Sequence, residues 1–153
     1  MRILQFGFGG RRNRNALSRH VEDCVVYTGT HDNDPVAAWW HSAPAAIREE
    51  AGRQLQRAGI DEPDPAWALI ELAFTSRGNV ALVQMQDVLG LGRAARMNLP
   101  GTGEGNWSWC LERRQLTDEL AARLRGVTVR TGRLPRGRVD RGPRRTPRAS
   151  SRR

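Results

Sequence analysis

Eight consecutive residues hold most of the chemistry that this sequence offers. Tyr27-Thr28-Gly29-Thr30-His31-Asp32-Asn33-Asp34 sets a run of polar side chains directly after an apolar, β-branched stretch. In a parallel α/β sheet the loop at the C-terminal end of a strand is where ligands bind and reacting groups sit. Asp32 could serve there as an acid or base, a nucleophile or a stabiliser of developing charge. His31 could donate a hydrogen bond to a substrate hydroxyl. The same residues also suit a plain polar turn, with Asp32 and Asn33 in Asx-turns and Asp34 capping the next helix. A metal fits poorly. Adjacent His31 and Asp32 on an extended segment point to opposite faces, and Asp32-Asn33-Asp34 is too short for the oxygen series of a calcium loop. Neither a metal nor a cofactor is expected.

A second stretch, Met97-Asn98-Leu99-Pro100-Gly101-Thr102-Gly103-Glu104-Gly105-Asn106-Trp107-Ser108-Trp109, pairs indoles with Asn, Thr and Glu. That combination can stack on a sugar ring and hydrogen-bond its hydroxyls; for Trp109 the reading is an indole plugging the domain edge. Trp39 and Trp40 read as packing residues on a helix. Gln86-Asp87-Val88-Leu89-Gly90-Leu91-Gly92 looks like half of a phosphate loop, but it lacks the third glycine and an acidic partner beyond. Tight turning is the better use of Gly90 and Gly92. Cys24 and Cys110 form no disulfide framework, have no metal-ligand spacing and make no nucleophile–base pair with His20 or His41.

The elements that must position these loops can be read from apolar runs and punctuation. Ile3–Phe6, Cys24–Thr28 and Asn79–Met85 read as three buried strands, continuous enough in apolar character to be covered on both faces of a parallel sheet. Pro35 to Ala58 reads as one helix opened by Asp34-Pro35 and closed by Gly59. Asp64-Pro65 opens a second helix that ends before Gly78. Thr117 caps a third, running to about Arg125 and closed by Gly126. The order is α/β, with crossover connections between parallel strands.

Charge divides the chain of 153 residues in two. Its 25 basic residues are all arginine and face 16 acids, a net charge of +9. Residues 126–153 hold ten arginines and one aspartate, hence +9 by themselves; residues 1–125 hold fifteen of each sign and are neutral. The tail, rich in Arg, Gly, Pro, Ser and Thr, has too little to bury against chain entropy and is expected to be disordered. It could act as an electrostatic arm for RNA, DNA or anionic lipid, but it lacks aromatics for base stacking. With 39% apolar residues, a mean hydropathy of −0.61 and no run of ~20 apolar residues, the chain is not expected to span a membrane. No secretory signal is read at MRILQFGFGGRR, and a reducing cytoplasm is the expected setting.

At this point the sequence resembles a known family. Met1–Phe6 (MRILQF), residues 25–34 (VVYTGTHDND), residues 67–76 (WALIELAFTS) and residues 86–107 (QDVLGLGRAARMNLPGTGEGNW) are similar to the C-terminal part of the 4-α-glucanotransferases. These are the amylomaltases or disproportionating enzymes of the broader α-amylase-like group. The resemblance covers roughly residues 1 to 125. It implies the C-terminal portion of a (β/α)8 barrel, strands six to eight, with residues 126–153 outside the domain. It implies transfer of an α-1,4-glucan segment to the 4-position of glucose or another glucan, with retention. Retention requires a carboxylate nucleophile and a carboxylic acid/base ~5–5.5 Å apart. In the family both precede the part present here, so both are absent from this chain. Asp32 matches the third acid, which stabilises the transition state. His31, Thr30, Asn33 and Trp107 match the substrate-binding surroundings, and the implied partner is a maltooligosaccharide or other α-1,4-glucan.

The sequence also departs from the family pattern. Met1 stands where the family has an internal methionine, and residues 11–20 read like out-of-frame coding that returns to frame by Val21. Pro35 replaces the usual Thr, and Cys110 the usual Arg. A full barrel takes ~250 residues and has no sheet edges. Three strands leave edges and an apolar face open, so the isolated chain is expected to be inactive and poorly folded. Two other roles stay open: a glucan-binding remnant without catalysis, and nucleic-acid binding through the tail.

Overall fold

Three short parallel strands, in sequence order, form the sheet: β1 (Arg2–Ile3), β2 (Val25–Tyr27) and β3 (Val80–Leu82). They are seen in a computed structural model that describes residues 1–10 and 12–134. Ile3 lies opposite Tyr27, and Tyr27 opposite Leu82. Number, order and direction agree with the apolar runs, while the strands are shorter than those runs. Leu4–Phe6 winds into a 3-10 turn, yet the Gln5 N–H still donates to the Thr28 carbonyl at 3.1 Å. Met85 opens a short helix, α4 (Met85–Val88), instead of ending β3.

The helices follow the sequence punctuation with two corrections. The expected single helix over 35–58 is two, α1 (Val36–Ser42) and α2 (Ala45–Arg57). Pro44 breaks it: proline lacks the N–H and forces Ala43 into extended backbone, with ψ 141°. The α2 end is as expected. Gly59 takes φ 68°, with its N–H on the Gln56 carbonyl and the Ile60 N–H on Leu55. In α3 (Pro65–Phe74) the Asp64 carboxylate accepts from the Ala66 N–H at 2.8 Å. Seven of its residues, Ala66–Ile70, Leu72 and Ala73, are at most 2% exposed, so this helix is central, with Glu71 turned out to pair with Arg130.

The second correction concerns the C-terminal boundary. Thr117 caps α5 as expected, accepting from the Leu120 N–H, but α5 spans Asp118–Arg130 and passes through Gly126. A glycine within a helix costs ~1 kcal/mol, and burial of Val127, 2% exposed, offsets it with about 1.5–3 kcal/mol. The closing glycine is Gly132, at φ 69°. Arg133 then donates to the carbonyls of Phe74, Ser76 and Gly78 at 2.6–2.9 Å. Residues 126–134 are therefore part of the folded body. The rest of the tail, 135–153, lies outside the described residues.

Coverage of the sheet is also one-sided. Val26 packs with Leu4, Val36 and α3 in the core, whereas Val80 and Leu82 are 45% and 47% exposed on the other face. Ile3 and Tyr27 share that open face through the register. The expectation of two covered faces holds for one. Residues 12–20, which depart from the family pattern, are stitched in nonetheless. The Asn15 side chain accepts from the Ile3 N–H, and buried His20 bridges Ser76 Oγ (2.8 Å) and the Asn15 carbonyl (3.0 Å). Burial holds the His20 pKa below its ordinary value. Among the described residues no helix is long and apolar enough to cross a membrane.

Candidate functional site

The open face of the sheet ends in a cleft of about 640 Å³ at the C-terminal ends of the strands. Ile3, Tyr27 and Leu82 floor it, and Thr30, His31, Asp32 and Asn33 form one wall. This is the loop that the polar run after β2 pointed to.

Both ends of the loop are fixed by one buried carboxylate. Asp87, on α4 and 1% exposed, accepts from Thr28 Oγ1 at 2.6 Å and from the Val36 N–H at 2.7 Å. Burial raises its pKa, opposed by the two hydrogen bonds. Because Asp87 satisfies the first free amide of α1, Asp34 is not the helix cap it was expected to be; the residue before α1 is Pro35, without a side-chain cap. Asp34 instead pairs with Arg93 at 2.7 Å and Arg96 at 2.9 Å. Its carbonyl accepts from Gln5 Nε2, and Gly29 is needed nearby: a Cβ there would sit 3.0–3.1 Å from the Gln5 amide.

Within the loop the predicted residues divide by role. Thr30 and Asn33 hold each other, with Asn33 Oδ1 accepting from the Thr30 N–H (2.9 Å) and hydroxyl (2.8 Å). They shape the turn, but not as the Asx-turn expected for Asn33: its oxygen reaches back three residues, and Pro35, two residues on, has no N–H to give it. Asp32 is different: its Oδ1 accepts from Asn98 Nδ2 at 2.5 Å and lies 3.3 Å from His31 Nε2. Among the described residues its Oδ2 has no partner. The His31 ring lies 5.0 Å from that of Trp107, tilted by 42°. Trp107 is 59% exposed and stands at φ 59°, costly for a bulky residue. Its N–H on the Met97 carbonyl, at 2.6 Å, holds it there. The structure thus joins His31, Asp32 and Trp107, from two loops far apart in the chain, at one rim. Trp39 and Trp40 pack against the core as read, and Trp39 lies 5.7 Å from Phe8. Gly90, at φ 63°, turns the chain.

Sequence reasoning missed Gln5, Asp87, Arg96 and Asn98 as parts of the site. Asp87 carried one usable signal: a lone acid in an otherwise apolar segment must be paired or hydrogen-bonded when buried. Chemically, the cleft offers one carboxylate with a free oxygen and an imidazole, and the exposed indole of Trp107 lies against that imidazole. That set can hold and polarise a polyhydroxylated ring; alone it lacks the second carboxylate of a glycosyl-transfer pair. Among the described residues no cluster of His, Cys, Asp or Glu could hold a metal ion.

Comparison with known proteins agrees. The family model described as 4-alpha-glucanotransferase matches residues 1–117. The chain is 41% identical over 138 residues to the chloroplastic/amyloplastic 4-alpha-glucanotransferase of Arabidopsis thaliana, covering 88% of this chain and 24% of that protein. It is 39% identical over 140 residues to the 4-alpha-glucanotransferase of Thermus thermophilus, covering 88% and 28%. Among solved structures, the amylomaltase from Streptococcus agalactiae in complex with acarbose superposes with a TM-score of 0.79 at 26% identity, over 87% of this chain and 27% of that one. The chain spans about a quarter of the length of the curated relatives it matches. On the extent of the family match, the α/β fold and the identity to these enzymes, this chain belongs to the 4-alpha-glucanotransferase family.

Proposed function

We propose that this chain forms the sugar-gripping, transition-state-stabilising part of a 4-α-glucanotransferase site. Its β1, β2 and β3 act as strands six, seven and eight of a (β/α)8 barrel. The observation that carries the reading is Asp32: one oxygen held by Asn98 and His31, the other unpartnered in a cleft rimmed by the exposed His31–Trp107 pair. A fixed carboxylate of this kind binds ring hydroxyls more tightly as the ring distorts toward an oxocarbenium-like state, which is how it lowers a barrier. His31 donates to a sugar hydroxyl, Trp107 stacks on a ring face, and Thr30 with Asn33 keeps the turn in shape. The donor is an α-1,4-glucan and the acceptor glucose or another glucan, joined with retention. Nucleophile and acid/base come from residues outside this chain, so the 153 residues alone are inactive. A reducing, cytoplasmic setting accompanies the reading, supported by Cys24 and Cys110 as free thiols.

Titration of the chain with maltoheptaose while following tryptophan emission tests the gripping role. A saturable change at millimolar sugar, lost in Trp107→Ala and weakened in His31→Ala, is expected. No change in the parent chain would sink the reading of this cleft as a sugar site.

A further inference from the structure

We propose that Arg96 is the positioning residue of the site, setting the direction of the Asp32 carboxylate through Asn98; the inference rests on the sugar-transfer reading above. Its guanidinium makes three directed contacts. Nε donates to the Asn98 carbonyl at 2.8 Å, Nη2 to the Asp32 carbonyl, and Nη1 to Asp34 Oδ1 at 2.9 Å. Asp32 and Asn98 are the two residues whose side chains meet, Asn98 Nδ2 on Asp32 Oδ1. One rigid, planar group therefore ties the two backbones that carry that side-chain contact. The Asn98 N–H on the His31 carbonyl, at 3.0 Å, is the only further backbone tie between the two loops at this point among the described residues.

The charges around Arg96 explain why it positions Asp32 without consuming it. Asp34, 13% exposed, is the counter-ion of Arg96, itself 18% exposed, and also takes Arg93. Arg96 gives no N–H to the Asp32 carboxylate. Asp32 thus keeps its free Oδ2, while its backbone and its Oδ1 partner are fixed from behind. Lysine could not substitute: a single ammonium lacks the fork that reaches two carbonyls and a carboxylate at once.

The first test is hydrogen exchange on the 153-residue chain. In Arg96→Met the Asn98 amide should lose about tenfold or more of its protection, while the α3 amides of Leu69–Ala73 keep theirs. Unchanged Asn98 protection would overturn the proposal, and so would a parallel loss in α3, which would make Arg96 a general fold residue. The second test reads kcat and KM for maltotriose after joining this chain behind the N-terminal three quarters of the Thermus thermophilus relative. Arg96→Met should lower kcat on the order of tenfold to a hundredfold with KM nearly unchanged. Arg96→Lys should not restore it, and Asn98→Ala should cost far less in the Arg96→Met background than alone, because the two act in series. Multiplying effects, a KM change without a kcat change, or full rescue by lysine would each contradict the proposal. If the joined parent releases no glucose, the sugar-transfer reading fails, and the exchange result still decides for or against Arg96.

Discussion

The two faces of the sheet are built from the same kinds of residue and have opposite fates. On one, the fully buried Val26 meets Leu4, Val36 and the apolar side of α3. On the other, Ile3, Tyr27, Val80 and Leu82 stand open beside the cleft. In a closed barrel the second face is the packed interior. The contrast separates what these residues bury by themselves, one face of the sheet under helices, from what they leave open, the face beside the cleft. The Thr30–Asp34 loop sits at the boundary between the two, which is why its polar groups are anchored backwards, to Asp87 and Arg96.

The comparison can be broken most severely in the covered face. Leu72→Ala should cost about 2–5 kcal/mol in urea unfolding, since Leu72 is fully buried. Leu82→Ser on the open face should stay within about 0.5 kcal/mol. Equal costs would mean that the open face is covered in solution.

A cut after Gly126 should cost about 1.5–3 kcal/mol as Val127 burial disappears, and it also removes the hydrogen bonds that Arg133 donates to the end of α3. A cut after Leu134 keeps both features and should be the more stable of the two. If both truncations behave alike, the placement of residues 126–134 in the body is wrong.

The smallest effect probes the boundary itself. Asp87→Ala strands the Thr28 hydroxyl and the Val36 amide, for about 1–3 kcal/mol. Its raised native pKa also fixes a sign. Relative to the unfolded chain the fold shifts the balance toward the protonated form, so its contribution is full below the unfolded value of about 3.9 and is lost as pH rises through the higher native value. Asp87→Asn should flatten that part of a stability-against-pH curve, and an unaltered curve would speak against the burial argument.

Much of this arrangement was legible in the residues. Three apolar runs gave three parallel strands because strand order and burial leave local traces, and Asp64-Pro65, Gly59 and Thr117 marked helix ends through backbone chemistry that acts within four residues. The loop at Thr30–Asp34 was legible for the same reason. Errors arose where a distant partner decides. Asp34 looked like a cap because Asp87, far along the chain, could not be seen satisfying Val36 in its place. Gly126 looked like a helix end because Val127 and Arg133 draw their stability from α3. Pro44 is a different case, a local signal that outranks the apolar period around it.

The central claim, that Asp32 supplies one carboxylate of a glucan-transfer site completed by residues outside this chain, has a direct measurement. Glucose release from maltotriose is followed for the 153-residue chain alone, for the chain joined behind the N-terminal three quarters of the Thermus thermophilus relative, and for the joined chain bearing Asp32→Asn. The account predicts no release from the first, clear release from the second, and a loss of about a hundredfold to a thousandfold in the third, as expected where charge stabilisation at the transition state is removed. Turnover by the chain alone, or a joined enzyme indifferent to Asp32→Asn, would contradict it.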